Sequence, residues 1–113
     1  MVEIEKILEK EKEKEIWKEL GNREKRLEIL SNFQKEGVII VDPEHTYIES
    51  KVKIGKGTLI LPNVFIFLDT IIGENCIIWG CNVIIGSIIG NSVKIESFCK
   101  IEGAEIGDLA SLR

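Results

Sequence analysis

One residue type recurs on a six-residue clock. Ile48, Ile54, Ile60, Ile66, Ile72, Ile78 and Ile84 follow one another without a gap. After a one-residue slip the series resumes as Ile89, Ile95 and Ile101, and after a second slip it ends with Ile106 and Leu112. An amphipathic helix repeats its apolar face every three or four residues, and a simple hairpin sheet alternates uniformly. A period of six fits neither. It fits a solenoid with three short strands per coil.

A longer period agrees. The pairs Ile54-Gly55, Ile72-Gly73, Ile89-Gly90 and Ile106-Gly107 lie 18, 17 and 17 residues apart. Stacked coils put Ile54, Ile72, Ile89 and Ile106 in one column. Ile60, Ile78, Ile95 and Leu112 form a second, and Ile48, Ile66, Ile84 and Ile101 a third. We call the faces that carry these columns A, B and C. Like residues in register are what a solenoid requires, since each coil buries its side chains only against its neighbours. Smaller residues form columns too: Thr58, Cys76, Val93 and Ala110; Val64, Asn82 and Cys99; Val52, Thr70, Ser87 and Ala104. This places both slips between a face C isoleucine and the small residue that follows. Gly57, Asn63, Asp69 and Asn75 each fall three residues after a core isoleucine, and these types tolerate positive φ at tight corners.

Residues 1–36 read differently. They hold most of the charge and form a helical extension to the coil of residues 37–113. Gly21-Asn22 marks a joint, with Gly21 ending one helix and Asn22 capping the next. The second helix carries Leu27, Leu30 and Phe33 on one face and ends near Gly37. From Glu9 to Glu15 charges alternate, which places opposite charges at i,i+3 and like charges at i,i+4. The plain expectation is a solvated linker helix. A partner-binding helix would have Ile4, Ile7, Leu8, Ile16, Trp17 and Leu20 to offer.

The net charge of −4 argues against a nucleic-acid surface and against a basic membrane-binding helix. The first residues lack the apolar core of a signal peptide, and no apolar run approaches a membrane span. Cys76, Cys81 and Cys99 are an odd set without zinc-type spacing. We expect them reduced, in a cytoplasmic protein. Cys76 and Cys99 read as small inward residues and Cys81 as an exposed turn residue. The abundance of Glu, Lys and Ile points toward a thermophilic source.

The stretch GVIIVDPEHTYI (Gly37–Ile48), with the Ile-Gly corners after it, resembles the bifunctional uridylyltransferase/acetyltransferase family that makes UDP-N-acetylglucosamine. In that family a long helix joins a pyrophosphorylase domain to a left-handed β-helix, which opens with a segment like GVTIIDPETTYI. Asn22-Arg23 and then Leu27 are similar to the family's N-N-R segment. Ile106–Arg113, IGDLASLR, is similar to its IGPFARLRPG. The resemblance covers residues 20–113. It implies an all-β left-handed parallel β-helix, here about 3.5 coils after an N-terminal α-helical segment, and a homotrimer.

Departures from the family pattern shape the functional expectation. The glycine-rich nucleotide loop and catalytic lysine of the pyrophosphorylase domain are not in the sequence. Gly21 stands where the family has a metal-binding Asn. Of the acetyltransferase site only Arg113 matches, as a single substrate-binding group. His45, the one histidine, stands where the family usually has Thr and does not match the catalytic His. One histidine also excludes a three-histidine zinc site of the carbonic anhydrase kind. The expectation is a relative reduced to linker helix and early coil, serving as a trimeric scaffold without catalytic residues, cofactor or metal, and inactive alone. The alternatives are a trimerisation or regulatory subunit docking a separately encoded nucleotidyltransferase, and a weak sugar-nucleotide binder.

The register also names the outward residues beside each core isoleucine. On face B they are Leu59, Leu61, Ile77 and Trp79; on face C, Phe65, Phe67, Val83 and Ile85. The next coil carries Lys94, Glu96, Lys100 and Glu102 instead. The eight apolar residues are the expected trimer interface, face B of one subunit against face C of the next. The rival expectation is that the N-terminal helices fold back and cover these faces.

Overall fold

The computed structural model describes the backbone from Val2 to Arg113 and side chains from Glu11 onward. Two helices, α1 (Val2–Gly21) and α2 (Arg23–Lys35), precede a parallel β-solenoid of about four turns. Its strands are β1 (Ile39–Ile40), β2 (Thr46–Ile48), β3 (Lys53–Ile54), β4 (Leu59–Ile60), β5 (Val64–Phe67), β6 (Ile71–Ile72) and β7 (Ile77–Ile78). They continue as β8 (Asn82–Ile85), β9 (Ile88–Ile89), β10 (Lys94–Ile95), β11 (Lys100–Glu102), β12 (Glu105–Ile106) and β13 (Ser111–Leu112). Face A is the sheet β3-β6-β9-β12, face B is β1-β4-β7-β10-β13, and face C is β2-β5-β8-β11. All pairings are parallel, as expected for a left-handed β-helix of hexapeptide repeats.

The isoleucine columns form as the spacing requires. Ile60 pairs with Ile78 and Ile78 with Ile95, and all three are fully buried. Each buried Ile contributes roughly 1.5–3 kcal/mol relative to an exposed one. The inward polar residues are satisfied by carbonyls of their own or the neighbouring coil and by amides of the neighbouring coil. Thr58 Oγ1 donates to Gly73 O (2.8 Å) and accepts from Cys76 N–H (3.1 Å). Asn82 Nδ2 donates to Trp79 O (2.7 Å), and its Oδ1 accepts from Cys99 N–H (2.7 Å).

The Ile-Gly corners have a steric cause. A Cβ on Gly55 would come within 2.6 Å of the Gly73 carbonyl carbon, and one on Gly73 within 2.6 Å of Gly90 O. The side chain of Asn91 crosses that gap to accept from Glu74 N–H (2.8 Å), and Asp108 does the same for Asn91 N–H (2.7 Å). Gly57, Asn63, Asp69 and Asn75 all have positive φ, as expected. So do Leu68, Cys81, Ser92, Phe98 and Leu109. The slip between coils is now explained. The C-to-A corner between Ile66 and Ile72, which keeps the six-residue spacing, uses two left-handed residues, Leu68 and Asp69, where the two slipped corners use one, Gly86 or Gly103.

The coil begins earlier than its first hexad isoleucine. Ile39 and Ile40 already pair with Leu59 and Ile60. A 3-10 turn at Pro43–His45 lies between this rung and β2, so Ile40 and Ile48 fall out of the six-residue phase. Helix α2 closes the top of the coil. Its Leu30 and Phe33 belong to one core with Val38, Ile40, Ile48 and Ile54, and Leu27 packs against it. Asn22 caps α2 by accepting from Lys25 N–H (3.1 Å). The i,i+3 pairs on α1 form as Lys14–Glu11 and Lys18–Glu15, both exposed.

Candidate functional site

The outer surface of the coil is where the eight apolar residues were expected, and the structure divides them. Helix α1 folds back over face C. Its Ile16 and Leu20 are buried with Phe67, and Tyr47, Phe65, Leu68, Val83 and Ile85 pack around them. Aromatic rings form a chain across this contact: Tyr47 stacks on Phe65 at 4.4 Å, and Trp17 lies 6.1 Å from Phe65 and 5.4 Å from Phe67. The expected face C set, Phe65, Phe67, Val83 and Ile85, is thus placed under the chain's own helix. Ile4, Ile7 and Leu8 lie outside the described side chains.

Among the described residues nothing covers face B in this way. Ile77 and Trp79 are exposed, and Leu59 and Leu61 are half-buried. The early rung adds two residues that the hexad series misses: Ile39 and Val41, 53% and 57% exposed. Their signal was the alternation around Ile40. Six apolar side chains therefore stand in two columns, Ile39-Leu59-Ile77 and Val41-Leu61-Trp79, above Lys94 and Glu96.

The joint between α1 and α2 is held by a buried cation. Arg26 is only 6% exposed. It donates to Leu20 O and to Glu44 O, both at 3.1 Å, and its guanidinium sits 4.6 Å over the Tyr47 ring. Carbonyls at a helix C-terminus carry partial negative charge, which favours a cation there. Nearby, Arg23 forms an exposed bidentate pair with Glu44, Nε to Oε2 at 3.0 Å. Hydrogen bonding to Arg23 holds the Glu44 carboxyl below its ordinary range and raises Arg23.

The remaining candidates are scattered. Arg113 is exposed at the lower edge of face B, next after the Ser111-Leu112 rung. His45 is exposed in the 3-10 turn, its Nδ1 2.8 Å from Asp42 Oδ2. The structure does not bring His45 and Arg113 together: they lie at opposite ends of the coil stack. Cys76 is buried, Cys81 exposed and Cys99 intermediate, all as free thiols. Among the described residues no His/Cys/Asp/Glu group could hold a metal ion, and no helix is long and apolar enough to cross a membrane. Two shallow grooves flank the helices. One, of about 360 Å³, is lined by Lys12, Lys18, Lys25 and Lys51 with Glu15, Glu19 and Glu49; the other, of about 330 Å³, lies between α2 and the face A corner.

A three-faced parallel coil of six-residue repeats, capped by a helix and bearing Ile-Gly corners, is a hexapeptide-repeat β-helix. Comparison with known proteins narrows this further. No family model matches the chain. The bifunctional protein GlmU of Listeria monocytogenes serotype 4b is 37% identical over 90 residues, covering 75% of this chain and 20% of that protein. GlmU of Caldanaerobacter subterraneus subsp. tengcongensis is 39% identical over 101 residues, covering 74% of this chain and 22% of its own length. GlmU of Alkaliphilus oremlandii is 39% identical over 93 residues, covering 78% and 20%. The chain is a relative of GlmU and spans about a fifth of the length of these relatives. The resemblance to this family is borne out.

Proposed function

We propose that this chain is a GlmU-related assembly scaffold in which the coil brings three copies together and performs no chemistry alone. The observation that carries the reading is the open face B. Ile39, Val41, Leu59, Leu61, Ile77 and Trp79 form one continuous apolar surface in a protein otherwise rich in surface charge. Monomers rarely leave apolar patches beyond a few hundred Å² uncovered. A standard interface buries about 800 Å² per partner; Trp79, an aromatic of a kind that buries about 150–250 Å², and five aliphatic side chains supply part of that. In the proposed ring, face B of one copy meets the face C side of the next. Such a heterologous contact closes as a ring, and a three-sided prism favours three members.

Inactivity of the isolated chain rests on its own residues. A general base must reach the proton it abstracts, and His45 instead pairs with Asp42 on the surface. Arg113 stands far from it, without a second binding group. Three free thiols and the absence of a candidate membrane-crossing helix among the described residues support a cytoplasmic setting.

The test is the molar mass of the intact chain under reducing conditions, alongside Trp79→Glu. The reading expects three chain masses for the natural sequence and one for the variant, with the same circular dichroism. Equal masses for both at single-chain value would overturn it. In parallel, steady acetyl transfer from acetyl-CoA to glucosamine-1-phosphate, above a heat-killed control, would contradict the inactivity.

A further inference from the structure

We propose that α1 is a removable cover over face C, a surrogate for the face B of a neighbouring copy, so that α1 and self-assembly compete for the same apolar surface. The proposal rests on the scaffold reading above and adds its regulation.

Four observations carry it. First, the cover is chemically like what it would exclude. Helix α1 presents Ile16, Trp17 and Leu20 to face C, and face B presents Leu59, Leu61, Ile77 and Trp79. Second, the two faces match coil by coil. Val83 and Ile85 of face C sit in the same coil as Ile77 and Trp79 of face B, and one coil later both faces turn to Lys-Glu pairs, Lys94–Glu96 and Lys100–Glu102. Third, the cover is partial. Of the described α1 side chains only Ile16 and Leu20 are buried; Glu11 to Glu15 are exposed, and Trp17 stays 42% exposed although its ring meets two phenylalanines. Phe65, Val83 and Ile85 are left half-buried beneath it. Fourth, the attachment is a hinge with few latches. Gly21-Asn22 joins α1 to a second helix that is itself fixed in the coil core. Among the described residues the polar ties across it are Arg26 to Leu20 O, Asn22 N–H to Glu19 O at 3.2 Å and Ser50 N–H to Glu19 Oε1 at 3.0 Å. Swinging α1 away leaves the coil and its α2 lid intact.

The part of Phe65, Phe67, Val83 and Ile85 that α1 occupies is closed to a neighbour's face B while α1 lies there. A ligand that binds only one of two states shifts the equilibrium toward it, and here the ligand is a second copy of the chain. Assembly is therefore weaker than the bare faces allow, and α1 is released as rings form.

The experiment uses the full chain, reduced, in three versions: natural sequence, Ile16→Glu, and Trp17→Ser. Both substitutions lie on α1, outside the coil core. Sedimentation across a wide concentration range gives the midpoint of association. Hydrogen exchange at low and high concentration reads the amides of residues 12–20. The proposal expects both variants to associate at a concentration at least about tenfold lower than the natural chain, a shift of about 1.4 kcal/mol. In the natural chain it expects α1 protection to fall as rings form, while coil protection holds. Variants that associate no more readily, with α1 protection unchanged or raised in the ring, overturn the cover and leave the scaffold reading standing. Absence of association in all three versions at the highest concentration overturns both. The exchange measurement on the natural chain keeps the test decisive should either variant fold poorly.

Discussion

Ile78 sits at the middle of the face B column, fully buried between Ile60 and Ile95. Ile78→Asp places an unpaired carboxylate there, and we expect loss of cooperative folding, read as loss of the urea transition. Ile78→Val should cost only about 0.5–1.5 kcal/mol in the same measurement. The corner glycines give a sharper contrast. Gly73→Ala drives a methyl against Gly90 O, and overpacking of this kind costs about 1–3 kcal/mol. Gly107 has no atom within 4 Å of its would-be Cβ, so Gly107→Ala should leave the midpoint nearly unmoved. Equal effects at the two sites would remove the steric account of the Ile-Gly repeat. Phe98 is the opposite case: a bulky side chain, 85% exposed, at φ +66°. The left-handed conformation costs a non-glycine residue roughly 1–2 kcal/mol, less for Asn, so Phe98→Asn should stabilise the coil by up to about 1 kcal/mol.

At the scale of elements, α2 is part of the coil rather than a linker to it. Leu30 is fully buried against the first rungs, and Leu30→Ala should cost about 2–5 kcal/mol. Removal of residues 1–35 should therefore expose the coil top and cause aggregation, whereas a cut at the Gly21-Asn22 joint should not. The Arg23–Glu44 pair ties α2 to the 3-10 turn and has a pH signature. Glu44 titrates below its ordinary range in the folded chain, so the pair's contribution is present above the unfolded carboxylate range and fades as pH falls through the lowered folded value. Arg23→Gln should move the Glu44 carboxyl resonance back toward the ordinary range, and an unmoved titration would mean the pair is not formed in solution. These elements also mark how far the sequence could be read. The coil was legible because columns of isoleucine, small residues and left-handed corner residues all repeat with one register. The first rung was not, because the Pro43–His45 turn puts Ile40 eight residues before Ile48. The fold-back of α1 was legible only as a rival. Its direction depends on Arg26 gripping two backbone carbonyls, and no spacing of residue types encodes that contact. Of the candidate interface, Ile77 and Trp79 lie exposed and Leu59 and Leu61 half-buried on face B; the other half, Phe65, Phe67, Val83 and Ile85, met the helix first.

For the whole molecule, one geometry links these parts. A prism with an apolar outer face on one side, a helix-covered apolar face on the next, and charge on the coil below fits the proposed ring, in which copies meet at the upper coils. The most direct measurement is light scattering on the intact, reduced chain at tens of micromolar. The account predicts a single species of three chain masses, converted to single chains by Trp79→Glu without loss of the coil's circular dichroism. A monodisperse single-chain mass for the natural sequence would contradict it.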